Sequence, residues 1–503
     1  MNYYDRHPVD IRLLAVAVSL LLSGLMVFFH STPNDDAYTY IRTAEIFSTD
    51  GFAAAFAYYE WATYSILIGC LRQLLGIDLF TAAYLLNGLF YALLVYSFIS
   101  IVKEIDDSKR VLILAAITVL VYPQLNEFRQ EVIRDIGFWS LAIYSLWQFM
   151  VFGRTHSFHN VMAFCLAMLF AATLRAEAVL YLLAIPLSLL FDTRLDKKRR
   201  IKFTLQYTAV SLALLILAIL IFRLGNLNLV QLFLDNFSVY TPFISSFLFP
   251  TGAESLELGR AIFNEHAANY SSEYLALFIL AGLFAILLAN LFNGIGGPFL
   301  IVLALGYFRK FLAIERHNFI PLLTILLVNT LILLLFILVT RFLASRYTML
   351  FCIVLSIFVP IVLDRILQRS EGKNNKLLTS RIIAVFLLYC CIDAYITFGN
   401  SKNYLYDAAE WVSINSEENT SLITNNHAVA YFSGKKDNYD LTVRNLGEAE
   451  ILQATKGSLI AVETNVDMTQ LFETDAVKSR VEAVITFPDE NDQQLIIYRK
   501  VVD

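Results

Sequence analysis

The chain has 503 residues, 58% of them hydrophobic and 16% charged, with a formal net charge of −5. That balance excludes an ordinary soluble globular protein and offers no basic surface for nucleic acid; it fits a polytopic membrane protein. The five cysteines (Cys70, Cys165, Cys352, Cys390, Cys391) all lie in apolar segments and no Cys/His spacing resembles a zinc site, so neither a disulfide framework nor structural zinc is expected.

Residues 11–29 (IRLLAVAVSLLLSGLMVFF) are long enough to cross a bilayer as a helix. No small-residue cleavage site follows, so the segment reads as a retained anchor. Further apolar runs fall near 79–102, 111–123, 136–152, 160–174, 177–191, 203–222, 274–292, 319–340, 347–363 and 382–398, which makes about eleven spans. The stretch 61–76 carries Arg72 and Gln73 and reads as a helix lying in the outer interface, and 297–308 as a cytoplasmic-side or re-entrant piece. Lys and Arg cluster at 103–110, 194–202, 309–316 and 365–381, which marks those loops as cytoplasmic. The N-terminus is then cytoplasmic, and the odd count puts the C-terminus outside.

After residue 400 the pattern changes. Short apolar strands at 421–424, 458–464, 482–487 and 494–500 alternate with helical stretches at 404–415 and 446–454, which reads as a small α/β domain. The expected architecture is mainly α: a transmembrane helical bundle over 1–399 and an extracytoplasmic α/β domain over 400–503.

Candidate site residues gather on the outer side. Asp35 and Asp36 follow the first span and precede the helical stretch AYTYIRTAEIF; either could cap that helix, or both could serve a substrate at the membrane surface. In YPQLNEFRQEVIRD, Glu127, Glu131 and Asp135 recur every fourth residue, so on a continuous helix they share a face, with Arg134 able to pair with Glu131. That face reads either as a solvated helix end or as a second acidic wall closing over the aspartate pair. Arg175 and Glu177 stand in a tight turn between apolar helices, as a mutual pair or a substrate contact. Arg260 and His266 lie on the long outer loop, and RFLASRY places Arg341 and Arg346 at an outward helix end, where they could meet a phosphate or snorkel to head groups. The lone His30, His317 and His427 read as surface residues.

With these residues in order, the chain resembles the GT-C superfamily of glycosyltransferases that use polyprenyl-phosphate-linked sugars, a group including protein O-mannosyltransferases and the lipid A aminoarabinose transferase. The resemblance rests on NDDAYTYIRTAEIF, EVIRD, LRAEAVLYLL and RFLASRYTML (which includes Tyr347), on their order and sidedness, and on the segment beginning YDAAEWVSIN. One departure is YYEWATYS, where many relatives have a proline-rich approach to the interfacial helix. The resemblance implies an inverting hexosyl or pentosyl transfer at the outer face of a bacterial inner membrane, from a polyprenyl-phosphate sugar to a glycan, lipid or protein acceptor. Asp35 or Asp36 would act as base, and Arg260, Arg341 and Arg346 would stabilise the leaving phosphate. Glu131, Arg134, Asp135, Arg175, Glu177, His266 and Tyr347 would contact substrate. Relatives differ in metal use, so Mg²⁺ or Mn²⁺ with Asp36 as ligand is one expectation; no organic cofactor is implied. The competing expectations are a polymerase or ligase using a lipid-diphosphate donor, and a flippase or transporter.

Overall fold

The computed structural model of the chain describes residues 10–29, 32–224, 227–231, 234, 260, 262, 274–312, 314–371, 375–396, 402–416 and 422–502. Packing divides the chain into two units: one holds residues 1–23, 87–129 and 134–396, the other 24–86, 130–133 and 397–503. The break near 396 falls close to the change in composition. Residues 24–86 and 130–133 join the C-terminal segment, a grouping the linear pattern does not reveal.

In chain order the helices are α1 (Ile11–Phe29), α2 (Asp35–Asp50), α3 (Phe52–Tyr58), α4 (Thr63–Leu75), α5 (Leu79–Ile105), α6 (Lys109–Leu120) and α7 (Pro123–Glu127). They continue with α8 (Asp135–Thr155), α9 (Phe158–Leu174), α10 (Ala178–Ala184), α11 (Lys197–Leu224), α12 (Leu275–Ile295), α13 (Gly297–Phe308), α14 (Arg316–Thr340), α15 (Ser345–Ser356), α16 (Phe358–Glu371) and α17 (Lys376–Tyr395). Among the described residues, eight helical stretches are long and apolar enough to cross a membrane, and α6 with the α7 segment makes a ninth, bent by 50°. The shorter apolar helices at Phe158–Leu174 and Ala178–Phe191 account for the other two runs seen in the sequence. The chain is a multi-pass membrane protein. Within its first unit α8 is central, with 78% of its span buried, whereas α11, 11% buried, presents leucine and isoleucine outward as a lipid-facing helix does. The close packing of α8 leaves little room beside Gly137: a Cβ there would lie 2.7 Å from Leu174 Cδ1 and 2.9 Å from Phe90 Cε2, so those side chains would have to shift.

The second unit contains the short helices α2 to α4 and the C-terminal α/β fold. α18 (Tyr404–Asn415) leads into β1 (Leu422–Thr424), α19 (His427–Ser433), α20 (Glu448–Leu452), β2 (Leu459–Glu463), α21 (Val466–Glu473), α22 (Asp475–Lys478), β3 (Val481–Pro488) and β4 (Gln493–Lys500). The sheet order is β1-β2-β4-β3, with β1 parallel to β2 and the other pairs antiparallel. Side chains alternate across the sheet. Leu422, Leu459, Ala461, Leu495 and Ile497 pack on α18 and α19, while Ile423, Ile460 and Val462 pack on Met468, Phe472 and Val477. Tyr38 of α2 belongs to the first of these cores and Phe80 of α5 packs against it, so the segment carrying the aspartate pair is anchored in the α/β fold.

Candidate functional site

The structure starts α2 at Asp35, so neither aspartate is the cap; Asn34 holds that position. The Asn34 side chain is engaged elsewhere. Its Oδ1 accepts the Val132 backbone N–H at 2.7 Å and its Nδ2 donates to the Val132 carbonyl at 3.4 Å, tying residues 130–133 to the start of α2. Asp35 and Asp36 therefore both occupy the first helical turn, where exposed N–H groups and the helix dipole favour negative charge. Asp35 is exposed and Asp36 half-buried. The rest of α2 is braced by an aromatic and ionic network within the same unit. Tyr38 stacks on His427 (centroids 5.6 Å apart, planes at 11°), and His427 Nδ1 lies 2.8 Å from the Tyr439 carbonyl. The Tyr439 hydroxyl donates to Glu45 at 2.7 Å, Arg42 pairs with Glu45 at 3.2 Å, and the Tyr58 hydroxyl donates to Asp440. Burial, then the bond to Glu45, pushes the Tyr439 hydroxyl far above the usual tyrosine range. Burial, then Asp440, raises Tyr58 to about 12. His427 is thus a packed, half-buried ring rather than a plain surface histidine. His317 likewise pairs with Glu315 at 3.1 Å, and His30 lies outside the described residues.

The expected single acidic face over Glu127, Glu131 and Asp135 does not form. α7 ends at Glu127, a 3₁₀ turn covers Phe128–Gln130, and a new helix starts at Asp135. The backbone must leave the helix here for Val132 to meet Asn34. Glu131 and Arg134 lie in this break, both half-buried.

In the membrane unit, Asp135 is 1% exposed and forms an ion pair with Arg175, whose other arm reaches Glu177 at 3.0 Å. The anticipated Arg175–Glu177 pair is present, and Asp135 turns it into a triad. The guanidinium of Arg175 lies over the Tyr347 ring at 4.4 Å and that of Arg346 lies 5.6 Å from the same ring. Phe138 and Trp139 of α8, Tyr181 of α10 and one stripe of α14 (Asn329, Ile332, Leu333, Phe336) complete a recess with Arg175, Glu177, Arg346 and Tyr347. Arg341 is exposed at the end of α14, in a left-handed conformation (φ 55°), and is not among the lining residues. Arg260 is exposed and outside this recess, and His266 lies outside the described residues. The sequence reading missed Tyr181 and Asn329, single polar groups inside apolar runs. It also missed Arg129, which is 2% exposed and bonded to Asn126, Ser19 and Ser23 under the Tyr91 ring.

Among the described residues no three His, Cys, Asp or Glu side chains come together as a metal site, and Asp36 belongs to no such group.

No family model matches this sequence, and no curated protein matches it. Solved structures do. ArnT from Cupriavidus metallidurans in the apo state aligns with a TM-score of 0.54 at 13% identity over 97% of both chains. The same protein bound to undecaprenyl phosphate gives 0.52 at 12% identity over 98% of both. The chain has the fold of these two structures. The Archaeoglobus fulgidus oligosaccharyltransferase tethered to an acceptor peptide matches it at 0.51 and 14% identity, over 89% of this chain and 60% of that one. In chain order, the first-turn carboxylates follow the first span and the residues of the arginine–tyrosine recess come from α8 onward.

Proposed function

We propose that this chain is an integral-membrane glycosyltransferase that moves a sugar from a polyprenyl-phosphate carrier to an acceptor at the extracytoplasmic face of a bacterial inner membrane. The observation that carries the reading is the match of the whole chain to ArnT, a protein also solved with undecaprenyl phosphate bound. Sidedness is supported by the basic clusters, which mark the loops opposite the candidate residues as cytoplasmic.

The reaction is a single displacement. An acceptor hydroxyl oxygen attacks the anomeric carbon from the face opposite the phosphate, the bond from that carbon to the phosphate oxygen breaks, and the electron pair leaves on the carrier phosphate. The anomeric configuration inverts. Asp35 or Asp36 takes the acceptor's proton; both stand in the first turn of α2, where the helix terminus favours negative charge. Arg346, with Arg341 and Arg260, neutralises the departing phosphate by charge-assisted hydrogen bonds. Asp135 and Glu177 hold Arg175 at a fixed angle over Tyr347, so that its positive charge is preorganised rather than recruited. Glu131, Arg134 and His266 are further candidates for substrate contact.

The test is transfer of radiolabelled sugar from a polyprenyl-phosphate donor by wild type, Asp35→Asn and Asp36→Asn. At least one substitution should lower transfer by roughly 10²–10⁴-fold while the protein still inserts. Full activity in both variants refutes the base assignment.

A further inference from the structure

The recess of the membrane unit carries polar groups whose hydrogen bonds the fold itself leaves incomplete. Asn329 lies near the middle of α14, a 25-residue helix that is otherwise almost wholly apolar here, and it is 4% exposed. A buried amide in such a place is costly unless each end finds a partner. Its Nδ2 donates to the Tyr181 hydroxyl at 2.6 Å, and its Oδ1 has no hydrogen-bond partner. Turning the amide over exchanges the two ends and still leaves one of them facing the recess unmatched. On the same recess, Arg175 engages Asp135 and Glu177 through its terminal nitrogens while its Nε has no acceptor.

The hydrogen-bonding chemistry of these two groups narrows which part of a lipid-linked sugar could meet them. A phosphate oxygen accepts hydrogen bonds but cannot donate one to the amide oxygen. A prenyl chain does neither. A hydroxyl both donates and accepts, so it matches Asn329 in either orientation and Arg175 as well. Between its apolar walls the recess has room for a single water-sized group, enough for a hydroxyl and too little for a ring. The α14 stripe from Asn329 to Phe336 runs two turns, about 10 Å, so a group near Tyr347 would reach the amide by a projecting substituent.

We propose that this recess is a hydroxyl subsite for the sugar being transferred, and that Asn329 and Tyr181 are specificity-determining residues. The assignment rests on the glycosyltransferase reading above. It makes these residues selective for one hydroxyl of the donor sugar, because losing that hydroxyl leaves buried polar groups unpaired.

The experiment uses full-length protein in nanodiscs and measures dissociation constants for bare undecaprenyl phosphate and for the same carrier bearing glucose, mannose, galactose, N-acetylglucosamine or arabinofuranose. Wild type should bind at least one loaded carrier about tenfold or more tightly than the bare one. Asn329→Leu and the milder Tyr181→Phe should lose that advantage while still binding the bare carrier, which also reports that they are folded. If both variants keep the advantage, or if wild type never shows one, the subsite is overturned while the carrier-binding reading stands. If wild type binds no carrier at all, that reading falls and the subsite with it.

Discussion

Replacing Asp135 by Asn keeps the shape of the side chain and removes one charge from the most deeply buried ion pair among the described residues of the membrane unit. The side chains of Asp135 and Arg175 are 2% and 10% exposed, so solvent cannot take over the role of the lost carboxylate. Breaking a buried pair by removing one partner costs about 3–5 kcal/mol. Glu177 remains 3.0 Å from Arg175 and is 31% exposed, which keeps part of the compensation and places the expected loss at the lower end, about 3 kcal/mol. Removing both charges in Asp135→Asn with Arg175→Leu should recover part of this, giving a coupling energy of about 2 kcal/mol. Unfolding in mixed SDS–detergent micelles, followed by tryptophan fluorescence, measures Asp135→Asn, Arg175→Leu and the double variant on one scale. A loss of under about 0.5 kcal/mol for Asp135→Asn refutes the triad as a structural and electrostatic unit.

Gly137→Ala should destabilise the same unit by about 1–3 kcal/mol, because the new Cβ forces the buried Leu174 and Phe90 side chains to shift; the same unfolding assay reads it. Tyr439→Phe should cost about 1.5 kcal/mol by removing a hydrogen bond to the Glu45 carboxylate, seen as a lower midpoint for the near-ultraviolet circular dichroism of the α/β fold. The tyrosines of that network also set an alkaline limit. Their hydroxyls titrate higher in the folded state than in the unfolded chain, so the stability they contribute is complete below about pH 10. It is lost as pH rises through the folded values, beginning with Tyr58 at about 12. Tyr58→Phe should flatten the first part of that loss; an unchanged alkaline profile contradicts the assignment.

The C-terminal fold was legible because its signals are local: the four strands fall where alternating apolar runs end in turn residues, and the helix expected at 404–415 spans Tyr404–Asn415. The aspartate pair and the Arg175–Glu177 turn stood out because charge is rare in this chain. The acidic face over Glu127, Glu131 and Asp135 failed for a non-local reason. A four-residue spacing carries a helical period, but Asn34, 98 residues away from Val132, captures that residue's backbone and breaks the helix. His427 was misread for a similar reason: the ring it stacks on, Tyr38, lies in a segment far away in sequence. Asn329 and Tyr181 carry no periodic signal at all. A single amide in an apolar run reads as noise until the fold shows that it and Tyr181 line one recess.

The central claim concerns which bond breaks and what leaves. Incubating the purified protein with an undecaprenyl-phosphate sugar and an acceptor, then analysing products by mass spectrometry and NMR, tests it most directly. The account predicts one molecule of free undecaprenyl phosphate per sugar transferred, with the anomeric configuration of the product inverted. Consumption of a diphosphate carrier only, a retained configuration, or movement of the lipid across the membrane with the donor intact would contradict it.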